Sequence, residues 1–340
     1  MTEEDRAGVS AANIPALIPI ALAEGVTVHY TTRLGGRSRG DFAFCNLGSK
    51  GGDDLHLVAA NRRAVDDVVG ARTCLVSQVH SAIVADVDSL LSGFEADSEE
   101  SAADMLYATE ADALFTAEEG RSLGVFTADC LPVLLADPQV GLIAAVHCGR
   151  RGLMKGVLEE SISALVAAGA SRSRIVATLG PRICGDCYEV GEEIASDFDR
   201  HFPGTMTDTR FGGRGIDIAL AALQILTHEG ISGDRIVDSE PRVRAATYYL
   251  EPDPEFQELC RVDGEGEDLS TRLDRMDHPL CTLENPLWFS HRRSAKAGKS
   301  REGRMLAIVT RRSGWVERVE SAETVEVESW SSNGSSPKEG

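Results

Sequence analysis

The sequence predicts one mixed α/β domain carrying acidic insertions, and three observations lead to that class. First, apolar runs of strand length follow one another at 123–126, 131–136 and 142–146, with turn signals at Asp137-Pro138 and Gly141. Second, segments 56–69 and 152–168 carry apolar stripes at helical spacing. Third, strand and helix patterns mix without a regular βαβ beat, no segment repeats at a fixed period, and no linker composition interrupts the chain. With 340 residues, 42% of them hydrophobic, the chain is large enough to bury a sizeable core.

The elements follow in order. Residues 26–32 alternate and are β-branched, which suits a strand running into the turn Arg33-Leu34-Gly35-Gly36. Leu57, Val58, Val65, Val68 and Val69 make one helical face, and 73–79 reads as a short strand. After the three apolar strands, Leu153, Val157, Ile162, Leu165 and Val166 stripe a helix that stops at Gly169. Segment 175–179 reads as a strand, 190–202 and 216–228 as helices, and 306–310 as a final strand. Residues 1–25 read as an N-terminal extension, 26–312 as the domain and 313–340 as a flexible acidic tail.

The formal net charge is −20, and most of it is local. Segments 92–112, 251–277 and 313–340 carry net −7, −7 and −4, and their Ser, Gly and Pro content reads as solvated loop. An acidic chain repels phosphate backbones, so nucleic-acid polymers are poor partners. Aromatics at 5% argue against a carbohydrate-stacking surface. No apolar run approaches the ~18 residues of a membrane helix. The acidic Glu3, Glu4 and Asp5 are unlike a signal peptide, and eight scattered cysteines suit a reduced, cytoplasmic protein.

Three polar residues stand beside buried-looking runs: His80 after 75–79, Cys130 after Thr127-Ala128-Asp129, and His147 after 144–146. Strand ends in one sheet converge, and two imidazoles with one thiolate leave a tetrahedral position open, the catalytic pattern for zinc. Spacing alone leaves open both a metal site and ordinary core His and Cys. Cys184-Gly185-Asp186-Cys187 is a lone C-x-x-C in a loop with no second pair, and reads as two loop cysteines. Arginines cluster near glycines at Arg33/Arg37/Arg39, Arg150/Arg151 and Arg292/Arg293, a chemistry that suits phosphate or carboxylate as readily as plain surface.

Motifs then occur in an ordered set: Thr32-Arg33-Leu34-Gly35-Gly36, Asn46-Leu47-Gly48, Gly52-Asp53-Asp54, Asn61-Arg62-Arg63, Gln78-Val79-His80, Ala111-Asp112-Ala113-Leu114, Thr127-Ala128-Asp129-Cys130-Leu131-Pro132-Val133, Ala144-Ala145-Val146-His147, Gly180-Pro181 and Tyr188-Glu189-Val190-Gly191. From about residue 26 to 312 the chain resembles the YfiH family of laccase-domain proteins, known as polyphenol oxidases, peptidoglycan editing factors or purine nucleoside phosphorylases. The resemblance implies a single domain of α/β/β/α layers and a zinc ion on His80, Cys130 and His147, with copper as a substitute in vitro. It implies phosphorolysis of adenosine, inosine and 5′-methylthioadenosine, and adenosine deamination, so the implied partners are purine nucleosides and phosphate. Cys148-Gly149-Arg150-Arg151-Gly152 stands where the family has Ala-Gly-Trp-Arg-Gly, and Ser49-Lys50-Gly51-Gly52 lacks the family's His. Ile183-Cys184-Gly185-Asp186-Cys187 also differs from the family's Ile-Gly-Pro-x-Cys. The ligands are kept while the pocket wall changes, so these departures bear on substrate preference.

For phosphorolysis, Arg33 is the expected phosphate holder, with Asn46, Arg62 and Arg151 as further substrate contacts. Asp129, Cys130 and His147 are the expected catalytic groups, with Asp129 as a base, an orienter of a ligand His, or a cap. A cysteine hydrolase acting on peptidoglycan precursors, with Cys130 as nucleophile and His147 as base, is the first rival. A non-enzymatic binding protein is the second. A copper laccase needs about ten His, largely in His-x-His pairs, and eight His without such a pair argue against it.

Overall fold

The computed structural model describes residues 14–92 and 98–312, so the expected acidic tail and residues 1–13 of the expected extension lie outside the described residues. The strands are β1 (Leu17–Ala23), β2 (Val26–Thr31), β3 (Thr73–Cys74), β4 (Val84–Asp86), β5 (Ala113–Thr116), β6 (Ser122–Thr127), β7 (Leu131–Asp137), β8 (Leu142–Cys148), β9 (Val176–Leu179), β10 (Met206–Asp208), β11 (Arg214–Ile216), β12 (Ile236–Val237) and β13 (Met305–Arg311). The helices are α1 (Leu55–Val69), α2 (Val87–Ser92), α3 (Glu99–Ala108), α4 (Arg150–Met154), α5 (Val157–Ala167), α6 (Glu192–His201), α7 (Ile218–His228), α8 (Glu240–Tyr249), α9 (Pro254–Val262), α10 (Leu269–Asp274) and α11 (His291–Lys296).

Two mixed sheets face each other. One runs β1-β2-β13-β6-β3 and the other β12-β9-β7-β8-β5-β4, while β10-β11 form a small hairpin. Alternation along the strands builds the layers. In β13, Ala307 and Val309 point into the core between the sheets, whereas Leu306 and Ile308 join Val65 and Val69 of α1 on the outer face. In β8, Ile143 and Ala145 face the central core, whereas Ala144 and Val146 pack with Leu158, Ile162 and Leu165 of α5 on the opposite face. The order is therefore helix, sheet, sheet, helix, the α/β/β/α layering implied by the resemblance. No helix among the described residues is long and apolar enough to cross a membrane.

The structure corrects four sequence expectations. Residues 17–23, assigned to an extension, are edge strand β1, in register with β2 from Leu17 opposite Thr31. The helix expected over 152–168 is split, because Gly156 turns left-handed at φ 84 between α4 and α5. Only Thr73–Cys74 of the strand expected over 73–79 joins the ladder, as β3. Finally, the described parts of the two internal acidic segments are not plain solvated loop. α9 and α10 bury Phe256, Leu259, Leu269 and Leu273 in the central core, and α3 buries Leu106. Asp253 and Asp268 cap those helices, accepting from the backbone N–H groups of Glu255, Phe256 and Thr271. Net charge counts such acids as solvated, but here they satisfy helix ends and buried arginines.

Candidate metal centre and its cavity

The β7–β8 ladder builds the centre. Its register sets Pro132 opposite His147 and Leu131 opposite Cys148, so Cys130, one residue before β7, arrives beside His147. His80 comes from the segment after β3. That segment leaves the ladder but stays clamped, because Gln78 Nε2 donates to the Phe126 carbonyl (2.9 Å) while Phe126 N donates to Gln78 Oε1 (2.7 Å). A side-chain amide replaces strand pairing, and the backbone is freed to turn at His80. Cys130 Sγ lies 3.8 Å from His80 Nε2, and the two imidazoles meet edge to face at 4.9 Å. The three candidate ligand atoms lie within 4.8 Å of one another.

Asp112 organises this group and had no role in the sequence reading, where it was one acid of a charged segment. It is fully buried immediately before β5. Its carboxylate accepts from the backbone N–H of Val79 (3.1 Å), His80 (3.0 Å) and Ser81 (2.6 Å), and from Ser81 Oγ (2.7 Å). It also meets His147 Nδ1 at 2.8 Å, which directs Nε2 of that ring toward the cavity. Burial alone would raise the Asp112 carboxyl, but the bonds from His147 and Ser81 hold it well below the usual range. The only sequence signal for it was the Ala-Asp-Ala-Leu motif. Carboxylates that orient ligand imidazoles are typical of metal sites, and their loss weakens metal binding about 10- to 100-fold. Asp112→Asn should show a loss of that size when zinc is titrated against a chromophoric chelator, with the fold retained by circular dichroism.

The residues present fit a zinc ion. Tetrahedral zinc with Zn–S near 2.3 Å and Zn–N near 2.1 Å places S and N about 3.6 Å apart, close to the observed separation. The backbone leaves room for it: a Cβ on Gly149 would stand 2.9 Å from Cys130 Sγ and 3.0 Å from His80 Cδ2. The glycine of the Val-His-x-Gly motif thus permits the α4 entry to pass directly over the ligands. Burial would raise the Cys130 thiol, but His147 and His80 beside it bring it down to about 6. Burial would lower His147, but Cys130 and Asp112 raise it to about 9. The sulfur is thus held as thiolate, the form that ligates metal. His80 (φ 58) and Asp129 (φ 100) are the only non-glycine residues with positive φ among the described residues. Such conformations cost about 1–3 kcal/mol each and concentrate at functional sites.

Asp129 lies in the same wall but serves a different contact set. Its carboxylate oxygens accept from Thr282 Oγ1 (2.6 Å) and from Arg292 N (2.8 Å) at the start of α11. Burial raises this carboxyl. Among the described residues no hydrogen bond joins Asp129 to His80, Cys130 or His147. Of the roles expected for Asp129, this geometry matches the cap.

A cavity of about 900 Å³ opens over the centre. His80, Cys130 and His147 form its floor with Asp129, and Gln78, Tyr107, Phe126 and Tyr188 line its sides. Its cations are Lys50, Arg292, Arg301 and Arg304. The expected substrate contacts are distributed differently. Arg33 is completely buried, its Nη1 on Asp263 (3.2 Å) and Glu265 (3.1 Å), and it does not line the cavity. This corrects the phosphate expectation: the charge is already neutralised in the core. Arg62 donates to the Leu47 carbonyl (2.8 Å) and stacks over Tyr107 and Phe126, on a neighbouring pocket. Arg151 is exposed on α4, outside the cavity lining. Asn46 is buried and shapes the wall, since its Oδ1 accepts from Gly48 N and Arg304 N, each at 2.9 Å. Sequence reasoning missed Lys50, Arg301 and Arg304 as candidates.

Comparison with known proteins agrees with this architecture. Residues 27–250 match the family model described as multi-copper polyphenol oxidoreductase laccase. A purine nucleoside phosphorylase of Corynebacterium glutamicum is 37% identical over 216 residues, 63% of this chain and 82% of that protein. One of Streptomyces griseus is 34% identical over 273 residues, 79% of this chain and 90% of that protein. An adenosine deaminase, RL5, from an unknown prokaryote is 33% identical over 229 residues, covering 64% and 84%. The crystal structure of a Neisseria meningitidis protein aligns with TM-score 0.63 at 27% identity, covering 88% of this chain and 99% of that one. YfiH of Bacillus licheniformis shares the fold, with TM-score 0.64 at 23% identity over 86% of this chain and 99% of its own. The layered sheets, the His-Cys-His group at their ends and these matches together show that the chain belongs to the YfiH, or laccase-domain, family.

Proposed function

We propose that the chain is a zinc-dependent purine nucleoside phosphorylase, acting on adenosine, inosine and 5′-methylthioadenosine, with adenosine deaminase activity. The observation that carries this reading is one cavity of nucleoside size in which a three-ligand metal group faces a wall of cations. The names of the relatives support the substrate class. A zinc ion on His80, Cys130 and His147 would supply Lewis acidity to an oxygen in the cavity. The chain's own residues do the rest. Asp112 fixes both the His80 turn and the His147 ring. In phosphorolysis, phosphate attacks C1′ and the purine leaves, so phosphate must be held beside the sugar. Lys50, Arg301 and Arg304 replace Arg33, Arg62 and Arg151 in that role. Asp129 acts by positioning, tying the Cys130 turn to Thr282 and to the backbone of Arg292. Eight free thiols fit a reducing compartment such as the cytoplasm.

Incubation with adenosine or inosine, with and without phosphate, tests the proposal by chromatography of products. Free purine and ribose 1-phosphate should form only with phosphate, and inosine should form from adenosine without it. A zinc-loaded protein that consumes no nucleoside would refute it. Arg301 has no hydrogen-bond or ion-pair partner among the described residues and lines the cavity. Arg301→Gln should therefore raise the KM for phosphate about tenfold, the worth of one charge-assisted hydrogen bond, and leave Tm unchanged.

The lowered thiol of Cys130 beside His147 also favours the cysteine-hydrolase reading. Thiol labelling separates the two. A metal-bound Cys130 alkylates only after chelation, whereas a free nucleophile reacts at once.

A further inference from the structure

The fold completes the Cys184-x-x-Cys187 pair with a partner the sequence did not suggest. Cys184 and Cys187 sit in the loop after β9. Cys281 and Glu284 sit between α10 and α11, and the two segments are held edge to edge by a bridge from Arg182 to Cys281. The three sulfurs and one Glu284 oxygen lie within 4.8 Å of one another. Cys184 Sγ and Cys187 Sγ stand 3.3 and 3.4 Å from Glu284 Oε1. Around tetrahedral zinc, Zn–S near 2.3 Å and Zn–O near 2.1 Å set S···O at about 3.6 Å, so little movement is needed.

The surroundings are built for an anionic cluster around a cation. The Glu284 side chain is only 3% exposed. Its Oε2 is filled by the backbone N–H of Asp277 (2.8 Å) and His278 (3.0 Å), which leaves Oε1 aimed at the sulfurs. Arg210 donates to that oxygen at 3.0 Å and offsets its charge. The backbone N–H of Cys184 donates to Cys281 Sγ at 3.4 Å, the support a thiolate ligand requires. We infer that Cys184, Cys187, Cys281 and Glu284 form a second, structural site for a thiophilic divalent cation such as zinc. Four protein ligands close the coordination shell, unlike the open three-ligand group in the cavity. The site cross-links the loop that carries Tyr188 of the cavity wall to the segment behind that wall, where Thr282, the residue after Cys281, holds Asp129.

The test uses reduced, chelator-stripped, full-length Cys130→Ala protein, in which the cavity site has lost its thiolate. Cobalt(II) added without oxygen should give intense thiolate-to-cobalt absorption that saturates at one equivalent and disappears when zinc is added. The absorption should be lost in Cys130→Ala/Cys281→Ser and in Cys130→Ala/Cys184→Ser, with the fold checked by circular dichroism. The unmodified protein should purify with two zinc ions per chain, and Cys130→Ala with one. The inference is overturned by folded protein that shows no thiolate absorption through several equivalents of cobalt. It is equally overturned by a single zinc that vanishes entirely in Cys130→Ala, or by an internal disulfide whose reduction restores no metal uptake. None of these readouts depends on nucleoside turnover.

Discussion

Cys130→Ala protein is expected to lose the cavity metal and phosphorolysis together, with turnover falling by about 10³-fold or more. Cys130 supplies the one soft, anionic ligand of its group, and His80 and His147 alone leave two neutral nitrogens. The charge stabilisation that a Lewis acid contributes is several kcal/mol, and each 1.36 kcal/mol is a factor of about ten in rate. Cys130 also sustains its neighbour, since its negative charge helps to keep His147 protonated before metal enters. The variant removes little volume, so the fold should survive and the loss should be local. Metal content by mass spectrometry and nucleoside turnover, measured on one preparation, check this. Full activity in metal-free Cys130→Ala protein would sink the catalytic assignment.

The centre was legible in the sequence for a specific reason. Cys130 and His147 border apolar runs that pair as β7 and β8, whose antiparallel register brings the start of one beside the end of the other. His80 follows an apolar run that leaves the ladder and is placed by the Gln78–Phe126 clamp. What a run cannot show is the partner of a charge. Asp112 looked like one more acid, because its role depends on the turn at His80, 32 residues away in sequence. Arg33 looked like an anion holder because glycines flank it. Its partners Asp263 and Glu265 lie 230 and 232 residues away, inside a segment whose net charge read as solvated loop. Cys184 and Cys187 looked unpaired because their partners come 97 residues later and one of them is a glutamate. Elements carried by local periodicity, such as β7, β8 and α7, were readable. Short pieces held by tertiary contacts, such as β4 and α10, left no periodic signal. Each of these misread residues is buried or half-buried and paired through space, an interaction to which composition and spacing are blind.

Glu265→Ala is expected to be the most destabilising single substitution considered, at about 3–5 kcal/mol, because it strands buried cations. The Glu265 carboxylate is 1% exposed and meets Arg33 Nη1 (3.1 Å), Arg293 Nε (2.8 Å), Lys299 Nζ (3.0 Å) and Ser294 Oγ (2.8 Å). Without it, the fully buried Arg33 keeps only Asp263 as an ionic partner, and Arg272 competes for that carboxylate at 2.7 Å. The hub ties the segment before α10 to α11, which carries Arg292 into the cavity wall. Tm should fall on the order of 10 °C. The pH dependence separates this ion-pair account from simple loss of packing. Burial opposes ionisation of Glu265, but Arg293, Arg33 and Lys299 outweigh it and hold its carboxyl well below the ordinary value of 4.5. A depressed carboxyl contributes its full stability above the unfolded pKa and loses it as pH falls, at about 1.4 kcal/mol per pH unit below that value. The stability gap between native and Glu265→Ala protein should therefore be constant from pH 7 to 5.5 and narrow below 4.5. Urea unfolding midpoints across that range measure it. A gap that stays the same down to pH 3.5 would mean that Glu265 stabilises by packing and not by charge.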